Sequence, residues 1–175
     1  MSKLIERTSP FPNGKQMLAH QATADTENQR FLGFTIGDNL NALIPLIDLQ
    51  ATIKILLTEI LPVPQMHESL LGIINYGGKA TWVLDLAHLM GGNGYLKTPE
   101  MTTGMGMLFQ IHNETVALLI DRVGTIETYN VQQCLPLGET MFTERMRLFL
   151  SGYFIDDKQQ SRVIIDLQQI IRAIA

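Results

Sequence analysis

The sequence predicts a mainly β protein built from small barrels rather than from one parallel sheet. Short runs of apolar and β-branched residues recur along most of the chain, and Asn, Gly and Pro separate them, as is typical of short strands joined by close turns. In addition, a strand that ends in Asp and leads into a short amphipathic segment occurs twice, as Val83-Leu84-Asp85-Leu86 and Ile164-Ile165-Asp166-Leu167. This recurrence predicts two related β subdomains in one chain.

The first copy of this pattern lies between residues 70 and 92. An apolar run, Leu70–Ile74, meets the turn residues Asn75–Gly78, and a second run, Thr81–Leu84, follows. Such an arrangement predicts a β-hairpin, because glycine adopts positive φ without steric penalty. Asp85 precedes a short apolar segment and Gly91-Gly92 follows it. A carboxylate before such a segment and glycine after it predict a capped helix of one or two turns.

The second copy lies near the end of the chain. Phe149–Phe154 leads through the polar turn Asp156–Gln160 into Arg162–Ile165. Asp166 and an amphipathic segment come next, which predicts a terminal helix over about 166–174.

The remaining segments divide the chain into a leader, two β blocks and a connector. Residues 1–30 are polar and without period, which predicts a flexible leader. We expect subdomain one over about 31–90 and subdomain two over about 105–172, linked by the glycine-punctuated stretch 91–104. Further strands are predicted at 31–36, 42–47, 52–57, 107–111, 115–120 and 124–129.

Composition narrows the class of protein. The chain has 175 residues, 46% of them hydrophobic, and no apolar run approaches the roughly 20 residues that a membrane helix needs. A net charge of −4 argues against a nucleic-acid partner, which favours a basic face. The single cysteine, Cys134, excludes an internal disulfide and fits a reducing cytoplasm. We therefore expect a cytoplasmic protein without direct membrane insertion.

The central motif resembles that of CheW-like chemotaxis coupling (adaptor) proteins. Its residues are Leu71-Gly72-Ile73-Ile74-Asn75-Tyr76-Gly77-Gly78, followed by Val83-Leu84-Asp85-Leu86. The family's motif runs Gly, two apolar residues, Asn, any residue, Arg and Gly, then an apolar strand ending in Asp-Leu. The segments Phe31–Asp38 and Leu118–Val123 also look like family strands, in the right order, so the resemblance extends from about Phe31 to about Ile171.

The resemblance implies a fold and a function. The fold would be two five-stranded barrels of the Src-homology-3 type packed on each other, with short helices. The function would be that of a non-enzymatic adaptor that couples the cytoplasmic tip of a methyl-accepting chemoreceptor to a CheA-like histidine kinase, at membrane-bound receptor arrays that control chemotaxis, phototaxis or pilus motility. The resemblance places receptor binding at Met105 and Val123. It places kinase binding at Gly72, Asn75, Tyr76, Gly77 and Gly78.

Two departures from the family pattern concern the partner. The turn Asn75–Gly78 lacks the arginine that the family often places there, and Trp82 stands where the family usually has proline. These changes are compatible with the fold, and they suggest a specialised paralogue with its own receptor and kinase. Trp82 itself fits either a core position or an exposed interface anchor.

Catalytic, cofactor and metal sites are not predicted. The four histidines have no paired ligand spacing, and one cysteine supplies no cluster. Asp85 and Asp166 are interpreted as caps, and Cys134 as a small buried hydrophobe. The alternative function is a stand-alone β-barrel module that binds a small apolar ligand in a seam between subdomains lined by Met101, Met105 and Met107.

Overall fold

The computed structural model describes residues 27–37, 39–95, 101–111 and 114–174, and these form ten strands in two five-stranded sheets. The predicted fold class, mainly β with two packed five-stranded units and short helices, is confirmed. The strands are β1 Asn28–Ile36, β2 Leu40–Pro45, β3 Ala51–Leu56, β4 Leu70–Tyr76, β5 Lys79–Asp85, β6 Thr103–Ile111, β7 Glu114–Ile120, β8 Arg122–Asn130, β9 Leu150–Ile155 and β10 Ser161–Ile165.

Within the described ranges, three named α-helical segments accompany the strands. They are α1 Leu86–Leu89, α2 Glu144–Arg147 and α3 Leu167–Ile174, and the first two are single turns. Short 3₁₀ turns follow β2, β3 and β8, at Leu46–Asp48, Leu57–Glu59 and Val131–Gln133. None of the helices in the described part of the chain is long and apolar enough to cross a membrane.

Barrel A has the strand order β8-β1-β2-β10-β9, and barrel B has the order β3-β6-β7-β5-β4. One pairing in each sheet is parallel, β2 with β10 and β5 with β7, and the others are antiparallel. After the 3₁₀ turns that follow β3 and β8, a single bridge brings the chain back to an edge strand. Leu61 pairs with Ile73 of β4, and Leu135 pairs with Tyr153 of β9.

The expected division into subdomain one, 31–90, and subdomain two, 105–172, is wrong as a description of the barrels. Barrel A combines the hairpin β1–β2 from the first half with β8, β9 and β10 from the second half. Barrel B combines β3, β4 and β5 from the first half with the hairpin β6–β7. Each half of the chain therefore gives its first hairpin to the barrel that the other half completes. The sequence repeat is genuine, but its units exchange strands.

Alternating side chains fill three apolar clusters. Along β7, Val116, Leu118 and Ile120 enter a central core that also contains residues of both sheets, whereas Ala117 and Leu119 enter a cluster confined to barrel B. A third cluster, of Phe31, Leu43, Phe154 and Ile164, fills barrel A. The central core is where the two barrels pack together. Its other strand residues are Leu32, Phe34, Ile36, Ala42, Ile44, Leu84, Met107, Phe109, Leu150, Val163 and Ile165.

The two Asp caps are present, as predicted from the sequence. Asp85 Oδ1 accepts from the backbone N–H of His88 at 3.0 Å, and Asp166 Oδ1 accepts from that of Gln169 at 3.1 Å. In each copy the backbone N–H of the Asp also donates to the carbonyl of the residue that precedes the first strand of the hairpin. The acceptors are Ser69, at 2.8 Å from Asp85, and Phe149, at 2.9 Å from Asp166. The repeat thus extends to the hydrogen bonds that join each cap to its hairpin.

The ends and the connector differ in part from expectation. Residues 1–26 of the expected leader and 96–100 of the expected linker lie outside the described residues, whereas Asn28–Arg30 belong to β1. At the start of the linker Tyr95 is only 6% exposed, so this part is anchored in barrel B.

The strand exchange predicts that the halves cannot fold separately. A chain divided within the connector, into residues 1–97 and 98–175, gives two fragments that each hold two strands of one barrel and three of the other. Because isolated hairpins are at best marginally stable in water, each fragment alone should show no cooperative thermal unfolding. The equimolar mixture should recover it, measured by circular dichroism. Cooperative unfolding of either fragment alone would contradict the exchanged arrangement.

Replacing the two capping aspartates should lower the free energy of unfolding by different amounts. Asp166→Ala should lower the free energy of unfolding by about 1 kcal/mol, as for an ordinary N-cap. Asp85 is 1% exposed and also accepts from the Tyr95 N–H at 2.7 Å, so Asp85→Ala leaves two N–H groups without an acceptor in a buried place. We expect a loss of about 3 kcal/mol. Urea unfolding of both variants checks this, and equal losses would mean that Asp85 acts only as a cap.

Candidate protein-interaction surfaces

The turn between β4 and β5 forms a compact exposed surface, here called the hairpin surface (Asn75–Gly78). Tyr76 and Lys79 form the last strand pair, and Gly77 and Gly78 have φ of 58° and 81°. Two central residues with positive φ make this a type I′ turn, which matches the twist of the flanking strands. The Asn75 side chain accepts from the Gly78 N–H at 3.0 Å. Tyr76 is 41% exposed, so an aromatic ring is available beside the turn.

Gly72, the fifth residue expected to bind the kinase, lies in a different setting. It is buried at a bulge of β4, where the register with β5 shifts between Leu70 and Gly72. Its φ is +141°, and a Cβ placed on it would lie 2.1 Å from the carbonyl oxygen of Leu61. Only glycine admits the Leu61 segment this closely. Gly72 therefore belongs to the closure of barrel B, and the structure separates it from the exposed hairpin surface.

Met105 and Val123 both lie near the corner where the chain passes from barrel B into barrel A. Met105 pairs with Ile120 at the end of β7, and Val123 pairs with Phe34 of β1. Between them, the Asp121 N–H donates to the Thr35 carbonyl of barrel A at 3.1 Å. Both side chains are half-buried against the central core. We call Met105, Val123 and the intervening Ile120-Asp121 the corner surface.

Another apolar residue at a passage between the barrels was not singled out from the sequence. Ile47 lies in the 3₁₀ turn that leads from β2 to β3, and it is 87% exposed, the largest exposed fraction among the large hydrophobic side chains described. An isoleucine within an apolar run is predicted to be buried. The sequence pattern therefore gives no indication that Ile47 is exposed. Its neighbours Leu46 and Leu49 do pack against the central core.

Two carboxyl groups and a phenol form a polar cluster at the corner. The Tyr95 hydroxyl donates to the Ile120 carbonyl at 2.5 Å, and the Tyr95 N–H donates to Asp85 Oδ2 at 2.7 Å. Burial raises the pKa of the Tyr95 hydroxyl, and the negative charge of Asp121 raises it further. Partial burial also raises the pKa of Asp121, while the nearby Tyr95 hydroxyl and the Gly37 backbone N–H oppose that shift. Asp121 therefore contributes its carboxylate to this polar cluster at the corner.

The seam proposed for a small apolar ligand does not form as expected. Met107 is fully buried in the central core, Met101 is exposed, and Met105 is half-buried, so these three side chains do not line one cavity. A groove of about 450 Å³ instead lies between the β1–β2 turn, α1 and α2. Its methionines are Met90 and Met146.

Other residues considered from the sequence have structural surroundings. Trp82 is half-buried against the central core, on the same face of β5 as Leu84. Cys134 is half-buried against the cluster of barrel A. His88 Nδ1 lies 3.1 Å from the hydroxyl of Ser69, which is fully buried. Over the described ranges, no group of three His, Cys, Asp or Glu side chains could hold a metal ion.

Comparisons with known proteins identify relatives of this architecture. The family model described as the CheW-like domain matches residues 30–175. The crystal structure of the scaffolding protein TtCheW from Thermoanaerobacter tengcongensis is similar, with a TM-score of 0.64 and 21% sequence identity over 79% of this chain and 89% of that chain. At this identity the structural likeness shows the fold alone. None of the curated proteins compared with the chain matches it.

The close approach at Gly72 predicts a strong effect on stability. Gly72→Ala should lower the free energy of unfolding by about 3 kcal/mol, because the new methyl group collides with the Leu61 carbonyl in a strained backbone conformation. Gly77→Asn is the matched control in the same hairpin. Nothing lies within 4 Å of a Cβ there, and Asn is favoured in type I′ turns, so the change should stay within about 0.5 kcal/mol. Urea unfolding compares them, and a tolerated Gly72→Ala would refute this role.

Proposed function

This chain belongs to the CheW-like domain family, and from that premise we propose that it is a non-enzymatic adaptor between a methyl-accepting chemoreceptor and a CheA-like histidine kinase. CheW-like proteins are scaffolding adaptors of chemotaxis signalling. The observation that carries the proposal is the family match over residues 30–175, which spans both barrels and therefore all the candidate surfaces.

The hairpin surface is the proposed contact for the regulatory domain of the kinase. It lies at the end of β4, an edge strand of barrel B. Among the described residues, only the Leu61–Ile73 bridge covers the outer side of this strand. An edge strand offers backbone groups to a second barrel, and two glycines at the turn allow close approach. Tyr76 supplies the kind of amphipathic ring that is enriched at binding hot spots. Gly72 supports this surface from within the barrel.

The corner surface is the proposed contact for the receptor. Met105 and Val123 come from different barrels and present partly exposed apolar side chains beside a backbone corner. The tip of a receptor helix can dock an apolar stripe in such a place, as helices do in shallow apolar grooves. Methionine suits this use, because its unbranched side chain adapts to different partners.

The proposed location follows from the proposed partners. CheW-like proteins work in cytoplasmic receptor arrays. We place this chain in the cytoplasm, beside the membrane, where it would hold the kinase in a fixed orientation to the receptor tip without entering the lipid.

Two substitutions test the proposed surfaces, with cognate kinase and receptor fragments and isothermal titration. Tyr76→Glu should weaken kinase binding at least about tenfold and leave receptor binding unchanged, because a charge replaces the ring at an interface. Val123→Glu should weaken receptor binding and leave kinase binding unchanged. The thermal midpoint of each variant confirms that it is folded.

One control comes from the equivalent strand of barrel A and the other from the same strand as Val123. Ile155 ends β9, the equivalent strand of barrel A, and is 41% exposed like Tyr76. Ile126 lies on β8 with Val123. Ile155→Glu and Ile126→Glu should change neither affinity more than about twofold. Loss of both interactions in one folded variant would indicate a single shared surface, and unchanged binding in both test variants would refute the assignment.

A further inference from the structure

Tyr95 links the ends of two neighbouring strands of barrel B, although it belongs to the connector after α1. It is only 6% exposed, and it packs with the barrel B cluster. Its backbone N–H donates to Asp85 Oδ2 at 2.7 Å, and its hydroxyl donates to the Ile120 carbonyl at 2.5 Å. Asp85 already pairs with Leu119 in the ladder between β5 and β7, and Tyr95 adds a second link between the same strand ends. We call Asp85, Tyr95, Ile120 and Asp121 the Tyr95 bridge.

At one end the Tyr95 bridge holds the base of the hairpin that carries the hairpin surface. Asp85 is the last residue of β5, and its N–H donates to the carbonyl of Ser69, the residue before β4, at 2.8 Å. Asp85 thus fixes both strands at the end opposite the turn. Its position determines how the base of β4 and β5 meets the rest of the barrel.

At the other end the Tyr95 bridge lies within the corner surface. Ile120 is the ladder partner of Met105, and Asp121 stands two residues before Val123. The Asp121 N–H donates to the Thr35 carbonyl of barrel A at 3.1 Å, and its carboxylate lies near the Tyr95 hydroxyl. Any partner that displaces this corner displaces the acceptor of the Tyr95 hydroxyl.

The residues around the Tyr95 bridge are closely packed. A Cβ on Gly94 would lie 2.4 Å from Asp85 Oδ2, so the chain before Tyr95 passes directly against the carboxylate. A Cβ on Gly104 would lie 3.3 Å from the Tyr95 ring. Close-packed groups of this kind transmit displacement rather than absorb it, because interiors pack as densely as organic crystals.

We propose that Tyr95 couples the two binding surfaces, so that receptor docking at Met105 and Val123 changes the affinity of the hairpin surface for the kinase. This inference rests on the proposed function and assigns a positioning role to a residue that contacts neither partner. The physical link is the hydrogen-bonded path from Ile120 through Tyr95 and Asp85 to Ser69. Because the coupling free energy between two sites is reciprocal, kinase binding must change receptor affinity by the same factor.

Tyr95→Phe tests the coupling, because it keeps the ring in place and removes only the hydroxyl. The measurement is the dissociation constant of the kinase regulatory fragment by titration calorimetry, with and without saturating receptor fragment. In the unaltered chain we expect the receptor fragment to change this constant by about fivefold or more. In Tyr95→Phe the change should fall below about twofold. Each partner measured alone should bind the variant within about twofold of the original affinity.

The matched control is Tyr129→Phe, which removes a hydroxyl from the other barrel. Tyr129 donates to Glu127 at 2.6 Å and takes no part in the Tyr95 bridge. It should retain the full coupling factor. A purely stabilising role for Tyr95 would lower the thermal midpoint of Tyr95→Phe and leave its coupling factor intact.

The outcomes separate this inference from the function on which it rests. Full coupling in Tyr95→Phe, loss of coupling in both variants, or binding of both fragments without coupling in the unaltered chain would each overturn the role of Tyr95 and leave the adaptor function standing. Failure of the unaltered chain to bind either fragment would overturn the adaptor function and the coupling together.

Discussion

The two parallel strand pairings, β2 with β10 and β5 with β7, are the constraint on which the rest of the structure depends. Parallel strands cannot be joined by a tight turn, so each pairing requires the chain to travel away and return. Between β2 and β10 the intervening chain builds the five strands of barrel B, whereas between β5 and β7 it forms α1, the connector and β6. Each barrel is completed only when the second half of the chain has met the first. The corner at Asp121, where β7 of barrel B becomes β8 of barrel A, is a direct product of this exchange.

For the proposed adaptor function, this arrangement joins the two candidate surfaces through one shared core. The central core takes buried residues from both sheets, so the barrels cannot separate without exposing a large apolar area. The hairpin surface lies on one barrel, whereas the corner surface lies where both barrels meet. An adaptor that holds two partners in a fixed relation needs this kind of stiffness more than it needs a reactive group.

The strand–Asp–helix pattern occurs twice, but its two aspartates differ in burial and in the number of hydrogen bonds that they accept. Asp85 and Asp166 both cap a helix and both bind the residue before the paired strand. Asp85 is nevertheless buried and has Tyr95 as an additional donor, whereas Asp166 is half-buried and caps the terminal helix. Gly72 and Gly152 show a similar parallel, since a Cβ on either would approach a carbonyl oxygen of the bridging segment, Leu61 or Leu135.

The sequence by itself determined the local elements: the type I′ turn at Gly77-Gly78, both Asp caps, most of the strands and the existence of a repeat. These follow from the φ preferences of glycine and from hydrogen bonds between residues a few positions apart. Only the tertiary structure decided which strands form each barrel, because a repeat unit looks the same whether it pairs within its own half or with the other. It also buried Gly72 and Met107 and exposed Ile47, since the neighbours that cover or leave a side chain come from distant segments. Tyr95 lies in a stretch without periodicity, and its two hydrogen bonds reach residues 10 and 25 positions away.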